Sequence, residues 1–377
     1  MTGPLAGTRV VHLASLGPGP YAAMLLADLG ADVVVVDRTA AMTTSVPADR
    51  DPRRRGQRSI RLDLTRPDSR AVLDELLTGA DVLIEGMRPG AAERLGLGPE
   101  RLLELNPGLV YARMTGWGQD GPLAARAGHD INYIGLTGAL HAMGDADRPP
   151  PVPLNLLGDY AGGGTFLVIG VLAALLERRS SGRGQVVDGA IVDGAGSLTA
   201  ATLGMLATDR WHARGTNVLD GGVPWYRTYR TADGGYVAVG AIEPKFYVEL
   251  LTRLDLDPAG YPRDEPATAD RLAQILTARF ASADRAHWES VFADSDACVT
   301  PVLTFAEATE HPHQRERAGY LDLAGVRQPA PAPRLSRTPA PVPAAPPGLG
   351  AHTDELLREL GRSAAEITAL HRDGAVA

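Results

Sequence analysis

Thr8-Arg9-Val10-Val11-His12-Leu13-Ala14 is an apolar, β-branched run, after which the chain turns at Gly17-Pro18-Gly19-Pro20. From Tyr21 to Leu29 the apolar residues fall at helical spacing, and Gly30 closes the segment. Asp32-Val33-Val34-Val35-Val36 follows without polar alternation, as a parallel strand covered on both faces requires, and Asp37-Arg38 ends it. Strand, helix and strand in this order predict a βαβ unit of the nucleotide-binding type. Working outward, Ser69 to Leu77 and Arg101 to Leu105 read as helices, and Thr165 to Arg179 as a longer one. Asp81 to Glu85, Leu109 to Met114 and Gln185 to Asp188 read as strands. The alternation predicts an α/β fold built on a Rossmann-like parallel sheet.

Beyond residue 190 the rhythm changes. Ile191 to Thr208 is small and apolar and reads as a connecting helix. Asp233-Gly234-Gly235, between the β-type runs of Tyr226 to Val239, signals a hairpin. Pro244 to Leu254 and Thr268 to Phe280 read as helices, which makes this part a smaller α+β domain. Proline and alanine dominate from Gln328 to Pro347, as in an extended linker, and Thr353-Asp354-Glu355 caps a short helix ending near Leu360. The expected organisation is a large domain over 1-190, a connecting segment over 191-223, the small domain over 224-327, and a return to the large domain over 328-377.

The 377 residues are 44% hydrophobic, enough for a large core. A net charge of -8 disfavours nucleic acid and anionic membrane as partners. The single cysteine, Cys298, excludes an internal disulfide framework and fits a reducing cytosol. The most apolar segment, Phe166 to Leu176, is shorter than the roughly twenty residues of a membrane span, and no leader is visible at the N-terminus. A cytoplasmic location is expected.

Gly17-Pro18-Gly19-Pro20-Tyr21-Ala22, with Asp37 downstream, has the outline of a dinucleotide fingerprint. Pro18 and Pro20, however, have no N–H to offer a phosphate, so a structural turn is favoured over NAD binding. Arg53-Arg54-Arg55, Arg58 and Arg61, with Arg38, Arg88 and Arg94, form either a solvated basic face or a phosphate pocket. His129 sits in Gly128-His129-Asp130-Ile131-Asn132-Tyr133, outside any amphipathic pattern. No second histidine or cysteine stands at ligand spacing, so a metal site is not expected. Asp159 precedes Ala161-Gly162-Gly163-Gly164 and a long apolar helix. It reads as an N-cap, or as a base or nucleophile beside glycine amides able to hold an oxyanion. Glu243, in Gly240-Ala241-Ile242-Glu243, would alone pass for a helix cap.

Taken together, these stretches resemble the class III CoA-transferases and α-methylacyl-CoA racemases, over nearly the whole chain from Gly3-Pro4-Leu5-Ala6-Gly7 to Arg334-Leu335-Ser336-Arg337-Thr338-Pro339. The His129, Asp159 and Glu243 motifs are similar to those of the racemase branch; transferases of the family generally keep the aspartate without the other two. The resemblance implies an interlocked homodimer, with each active site between the large domain of one subunit and the small domain of the other. It also implies that Arg55-Gly56-Gln57-Arg58-Ser59-Ile60-Arg61-Leu62-Asp63-Leu64 belongs to the CoA-binding stretch. Arg38, Gly86, Met87, Arg88 and Arg94 would hold the nucleotide and phosphates. Asp130, Tyr133, Gly162 and Gly163 would shape the pocket or touch the ligand.

The implied reaction interconverts (2R)- and (2S)-2-methylacyl-CoA through an enolate, with CoA arriving as part of the substrate and no tightly bound cofactor. His129 and Asp159 would each serve one face of the carbon, and Glu243 would fix the imidazole. The alternatives are a CoA-transferase with Asp159 as covalent nucleophile, and an acyl-CoA-binding protein or pathway enzyme that has reused the enolate site.

Overall fold

A computed structural model describes residues 3–40, 45–263 and 265–377. The chain divides into two units. One comprises Met1–Thr137, Pro153–Leu198 and Ala318–Ala377, and the other Gly138–Val152 and Thr199–Arg317.

The first unit is built on six parallel strands: β1 (Arg9–Leu13), β2 (Asp32–Arg38), β3 (Gln57–Leu62), β4 (Val82–Glu85), β5 (Val110–Thr115) and β6 (Val186–Ala190). Their order is β3-β2-β1-β4-β5-β6, the doubly wound arrangement with its reversal between β1 and β4. Period-2 geometry sends alternate residues of one strand to opposite faces. Val11, Val34, Val36, Leu83 and Tyr111 enter one core, and Val10, Val33, Val82, Ile84 and Val110 the other. The uninterrupted valine run of β2 follows from this: both of its faces are covered.

Helix α1 (Pro18–Asp28) covers the second face with Ala22, Ala23 and Leu26. Here the structure differs from the expected turn. Pro18-Gly19-Pro20 is the first turn of the helix itself, where a proline loses no bond because those N–H groups have no intrahelical partner. The N-cap is Gly17, at φ +67°, which a side-chain-bearing residue adopts only with strain. The other face is covered by α2 (Pro67–Thr78) and by the C-terminal helices Thr353–Glu359 and Ala364–Arg372. Leu356, Leu357 and Ile367 of the tail are buried in this core, and at about 1.5–3 kcal/mol per side chain they hold it against the sheet.

The long helix behind β5 and β6 also differs from expectation. It starts at Leu156 rather than Thr165. Leu156–Thr165 is a π-helical segment, running directly into α-helix Phe166–Ser181. The continuous helix of 26 residues is long and apolar enough to cross a membrane by length and composition, which corrects the argument from Phe166 to Leu176 alone. Its Leu167, Val168, Val171 and Ala174 pack into the core of this unit. The apolar stretch expected as one helix from Ile191 to Thr208 is two, Ile191–Ser197 and Ala200–Ala207.

The second unit contains an antiparallel sheet, Tyr226–Arg230, Tyr236–Gly240 and Val299–Val302. Helices Pro244–Arg253, Pro266–Phe280 and Arg285–Phe292 supply Tyr247, Leu250, Leu276, Phe280 and Trp288 to its core. Gln328, expected at the start of a linker, instead pairs in a hairpin of the first unit, Tyr320–Leu323 with Val326–Pro329.

Candidate active site

In a doubly wound sheet a crevice opens at the carboxyl ends of the strands that flank the reversal. Here those ends are Leu13 to Gly17 after β1 and Gly86 to Arg88 after β4, and both line a cavity of about 670 Å³. Met114 to Trp117, at the end of β5, adds to its wall, with Ala124, Arg126, Ala127, Gly128, His129, Tyr133, Asp159 and Ile191. His129 and Asp159 therefore face one cavity, although thirty positions separate them in the chain.

Each of the two is held from a different element. His129 is exposed and forms the N-cap of helix Asp130–Leu136, its N–H donating to Asn132 Oδ1 at 3.0 Å. The first amides of that helix, and the positive end of its dipole, thus lie beside the imidazole. Tyr133 is buried, stands edge-on to Trp117 at 4.7 Å between ring centroids and donates its hydroxyl hydrogen to Gly128 O.

Asp159 lies in the π-helical segment, a helix form frequent at functional sites. Asn155 Nδ2 donates to its Oδ2 at 3.2 Å. A Cβ on Gly17 would stand 3.0 Å from the same oxygen, so the glycine at the start of α1 also makes room for the carboxylate. Burial pushes the Asp159 carboxyl above the ordinary aspartate value; Asp130 adds to this, while Asn155, His129 and Arg53 oppose it. A carboxyl so placed holds a proton more readily than a solvated one, which suits an acid–base group. His12 is a contrast. It is buried against Ser15, and burial with the charge of Arg54 lowers it to about 3, so it stays neutral.

The loop after β4 is braced from below. Glu85 is fully buried; its Oε2 accepts the Met87 N–H at 2.6 Å and its Oε1 faces Arg113 Nε at 3.0 Å. Arg113 also pairs with Glu93 at 2.9 Å. Arg38, Arg88 and Arg94 are exposed at the cavity and none pairs with a carboxylate among the described residues. Their forks are open to an anionic ligand.

Several residues expected at the ligand are elsewhere. Arg55 is 2% exposed, and its donors are taken by Asp28 (2.9 and 2.6 Å), Gln328 Oε1 (3.0 Å) and Pro329 O (2.7 Å). Arg58 is held by Asp32, Glu355 and Glu359, beside the amino ends of the strands. Both arginines join segments of the fold. Leu62 is core, paired beside Arg38 at the carboxyl edge of the sheet, and Asp63 and Leu64 follow it there, outside the cavity lining. Asp63 bonds Thr65.

Gly162 and Gly163 do not line the cavity either. They lie inside the long helix, not at its start, so their amides are not the bare cradle expected of them. A Cβ on Gly162 would meet Ala195 N at 2.6 Å, and one on Gly163 would meet Pro18 Cβ at 3.0 Å. These glycines allow close helix packing. Glu243 belongs to the second unit, exposed at the N-cap of Pro244–Arg253 with no side-chain cap bond.

Sequence reasoning missed Arg126, Trp117 and Ser15 to Gly17 as lining residues. Arg126 stands just before the His129 motif, and that proximity was its only signal.

The buried Arg55–Asp28 pair gives a separable prediction. Arg55→Ala leaves the Asp28 carboxylate buried without its partner and is expected to destabilise the fold by about 3–5 kcal/mol, while KM for the substrate stays unchanged. Denaturant unfolding and steady-state kinetics check it; intact stability with a raised KM would restore Arg55 to the ligand.

A family model described as CoA-transferase family III matches residues 5–353. An α-methylacyl-CoA racemase from Mus musculus is 47% identical over 378 residues, covering 98% of this chain and 96% of that protein. The racemase of the same description from Homo sapiens is 44% identical over 377 residues, with 98% and 96% covered. Among solved structures, a CAIB/BAIF family protein from Brucella suis superposes with a TM-score of 0.83 at 27% identity, covering 96% of this chain and all of that one. With its doubly wound sheet and a family match across nearly its whole length, the chain belongs to CoA-transferase family III.

Proposed function

We propose that this protein interconverts the (2R) and (2S) forms of 2-methylacyl-CoA thioesters. The observation that carries the reading is the convergence of His129 and Asp159 on one cavity beside unpaired arginines, in a chain 44–47% identical to racemases.

The α-proton next to a thioester carbonyl is weakly acidic, so inversion needs a base on one face, an acid on the other, and stabilisation of the enolate oxygen between them. His129 removes the proton from one enantiomer while protonated Asp159 delivers one to the opposite face; the reverse direction exchanges the roles. On this reading the enolate oxygen is met by the Asp130 and Ile131 N–H groups, which directly follow the cavity-lining His129 and have no partner within the helix, and by the helix dipole. This replaces the expected glycine cradle. Both protons move between side chains and carbon, so the chemistry calls for no resident metal or redox group, and CoA comes with the substrate.

Arg38, Arg88 and Arg94 hold the CoA phosphates on this reading, with Gly86 and Met87 passing beneath. Arg88→Ala or Arg94→Ala removes charged hydrogen bonds worth about 1.5–3 kcal/mol, so KM is expected to rise about ten- to hundredfold with kcat little changed. A fall in kcat at constant KM would contradict that role.

The protein acts as a homodimer in this account. Ile169 and Leu176 stand exposed on helix Phe166–Ser181, and Ala200–Ala207 of the second unit buries none of its residues although it is almost wholly apolar. Such faces are covered by something, and a second copy would bring its Glu243 to His129. The exposed, unpaired Cys298 suits a cytoplasmic setting.

Incubation of a single enantiomer, followed by chiral separation of the released acids, tests the assignment. The expected result is approach to a mixture of both enantiomers with no acyl or CoA adduct on Asp159 by intact mass. Configuration retained, with an adduct on Asp159, would establish the transferase chemistry instead.

A further inference from the structure

Asp130 follows His129 directly, yet its side chain turns the other way. It is 7% exposed. Its Oδ2 accepts the backbone N–H of Asp159 at 2.7 Å, and its Oδ1 is buried with no hydrogen-bond partner. The approach depends on Gly158: a Cβ there would stand 2.4 Å from Asp130 Oδ2 and 2.8 Å from its Cγ. This hydrogen bond ties the helix capped by His129 to the π-helical segment carrying Asp159. Removing the N–H from solvent competition would need only an uncharged acceptor. A carboxylate with one oxygen unsatisfied is a more costly choice than that task requires.

We propose that Asp130 is the positioning residue of the proton-transfer pair: its carboxylate clamps the backbone of Asp159 and sets a second negative charge against the Asp159 carboxyl. This rests on the racemase reading and deepens it. The charge makes Asp159 reluctant to ionise, and so available as the acid in the direction in which His129 is the base. Burial acts in the same sense; the Asn155 amide, His129 and Arg53 act against it, and Tyr133 faces the same carboxyl. Among these groups Asp130 is the anion that touches the Asp159 backbone directly.

The test isolates Asp159. In a His129→Ala background, solvent deuterium enters only the enantiomer whose α-proton faces Asp159, and the rate rises with pH as Asp159 ionises. Adding Asp130→Asn keeps an oxygen for the Asp159 N–H and removes the charge. The acidic limb of the exchange profile is expected to move down by about one pH unit, so exchange at the foot of the limb becomes about tenfold faster relative to the plateau. Gly158→Ala, which displaces the carboxylate without altering either acid–base residue, is expected to move the limb in the same direction, and thermal melting of both variants confirms that they are folded. A limb that stays in place, whether the plateau falls or not, reduces Asp130 to a structural contact and overturns the proposal. Wild-type protein that exchanges neither enantiomer removes the racemase reading as well, and that outcome is distinct because it precedes any substitution.

Discussion

Asp159→Asn is expected to lower the interconversion of 2-methylacyl-CoA enantiomers by about 10²–10⁴-fold, the usual contribution of a positioned acid–base group. Asparagine keeps the volume and can still meet the Asn155 amide, but it neither takes nor gives a proton. KM should change little, because the arginines at the cavity mouth are untouched. The same substitution has a consequence for stability. Burial raises the folded-state pKa of Asp159 above its ordinary value of 3.8. The carboxyl's contribution to folding is thus fully present below about pH 3.8 and is lost as pH rises through the elevated folded value. Asp159→Asn removes that loss. Its melting temperature should exceed that of the wild type at neutral pH, with the gain shrinking toward acid. Loss of activity accompanied by lower stability at neutral pH would indicate that the aspartate has a structural role in the π-helical segment and is not a proton carrier.

The second large effect is directional. His129→Ala is expected to reduce inversion in both directions by about 10²–10⁴-fold, since each turnover uses both groups. Exchange of the α-proton with solvent should split: lost from the enantiomer facing the imidazole, retained from the one facing Asp159. Deuterium content at C2, measured by mass after chiral separation, reads the two apart. Equal loss from both enantiomers would mean that His129 binds the thioester and does not carry its proton.

The parts legible in the sequence were those that depend on local pattern. The valines of Asp32–Arg38 can be buried on both faces only in the middle of a parallel sheet, and the alternation of such runs with helices announces that sheet; its order, and the basic strand Gln57–Leu62 within it, come from the structure. The convergence of His129 and Asp159 was legible through the resemblance and not through spacing, because it depends on which strand ends meet at the reversal. The arginines were misjudged for a physical reason. A basic run looks the same whether its forks meet phosphate or carboxylate, and the partners that claim Arg55 and Arg58 (Asp28, Asp32, Gln328, Glu355 and Glu359) lie far off in the chain. Arg38, Arg88 and Arg94 line the cavity, Arg38 as the last residue of β2 and the other two in the segment after β4.

Gly162 and Gly163 show a different failure. A glycine run before an apolar helix reads as a bare helix start, but the helix begins earlier, at Leu156, as a π-helical segment whose spacing no apolar periodicity announces. What the glycines provide is close contact with Pro18 and Ala195. On the proposed reading the enolate oxygen is therefore assigned to the helix beginning at Asp130, and the contact between Asp130 and Asp159 becomes visible only once the two segments lie side by side.

The most direct measurement is inversion of a single 2-methylacyl-CoA enantiomer by the wild-type protein in D2O, with deuterium at C2 of the newly formed enantiomer read at the earliest turnover. An imidazole on one face and a carboxyl on the other deliver a solvent-derived hydron to the product, so the inverted product should carry one deuterium from the start. Inverted product that retains its original proton would mean that one group carries it across both faces, and would contradict the account.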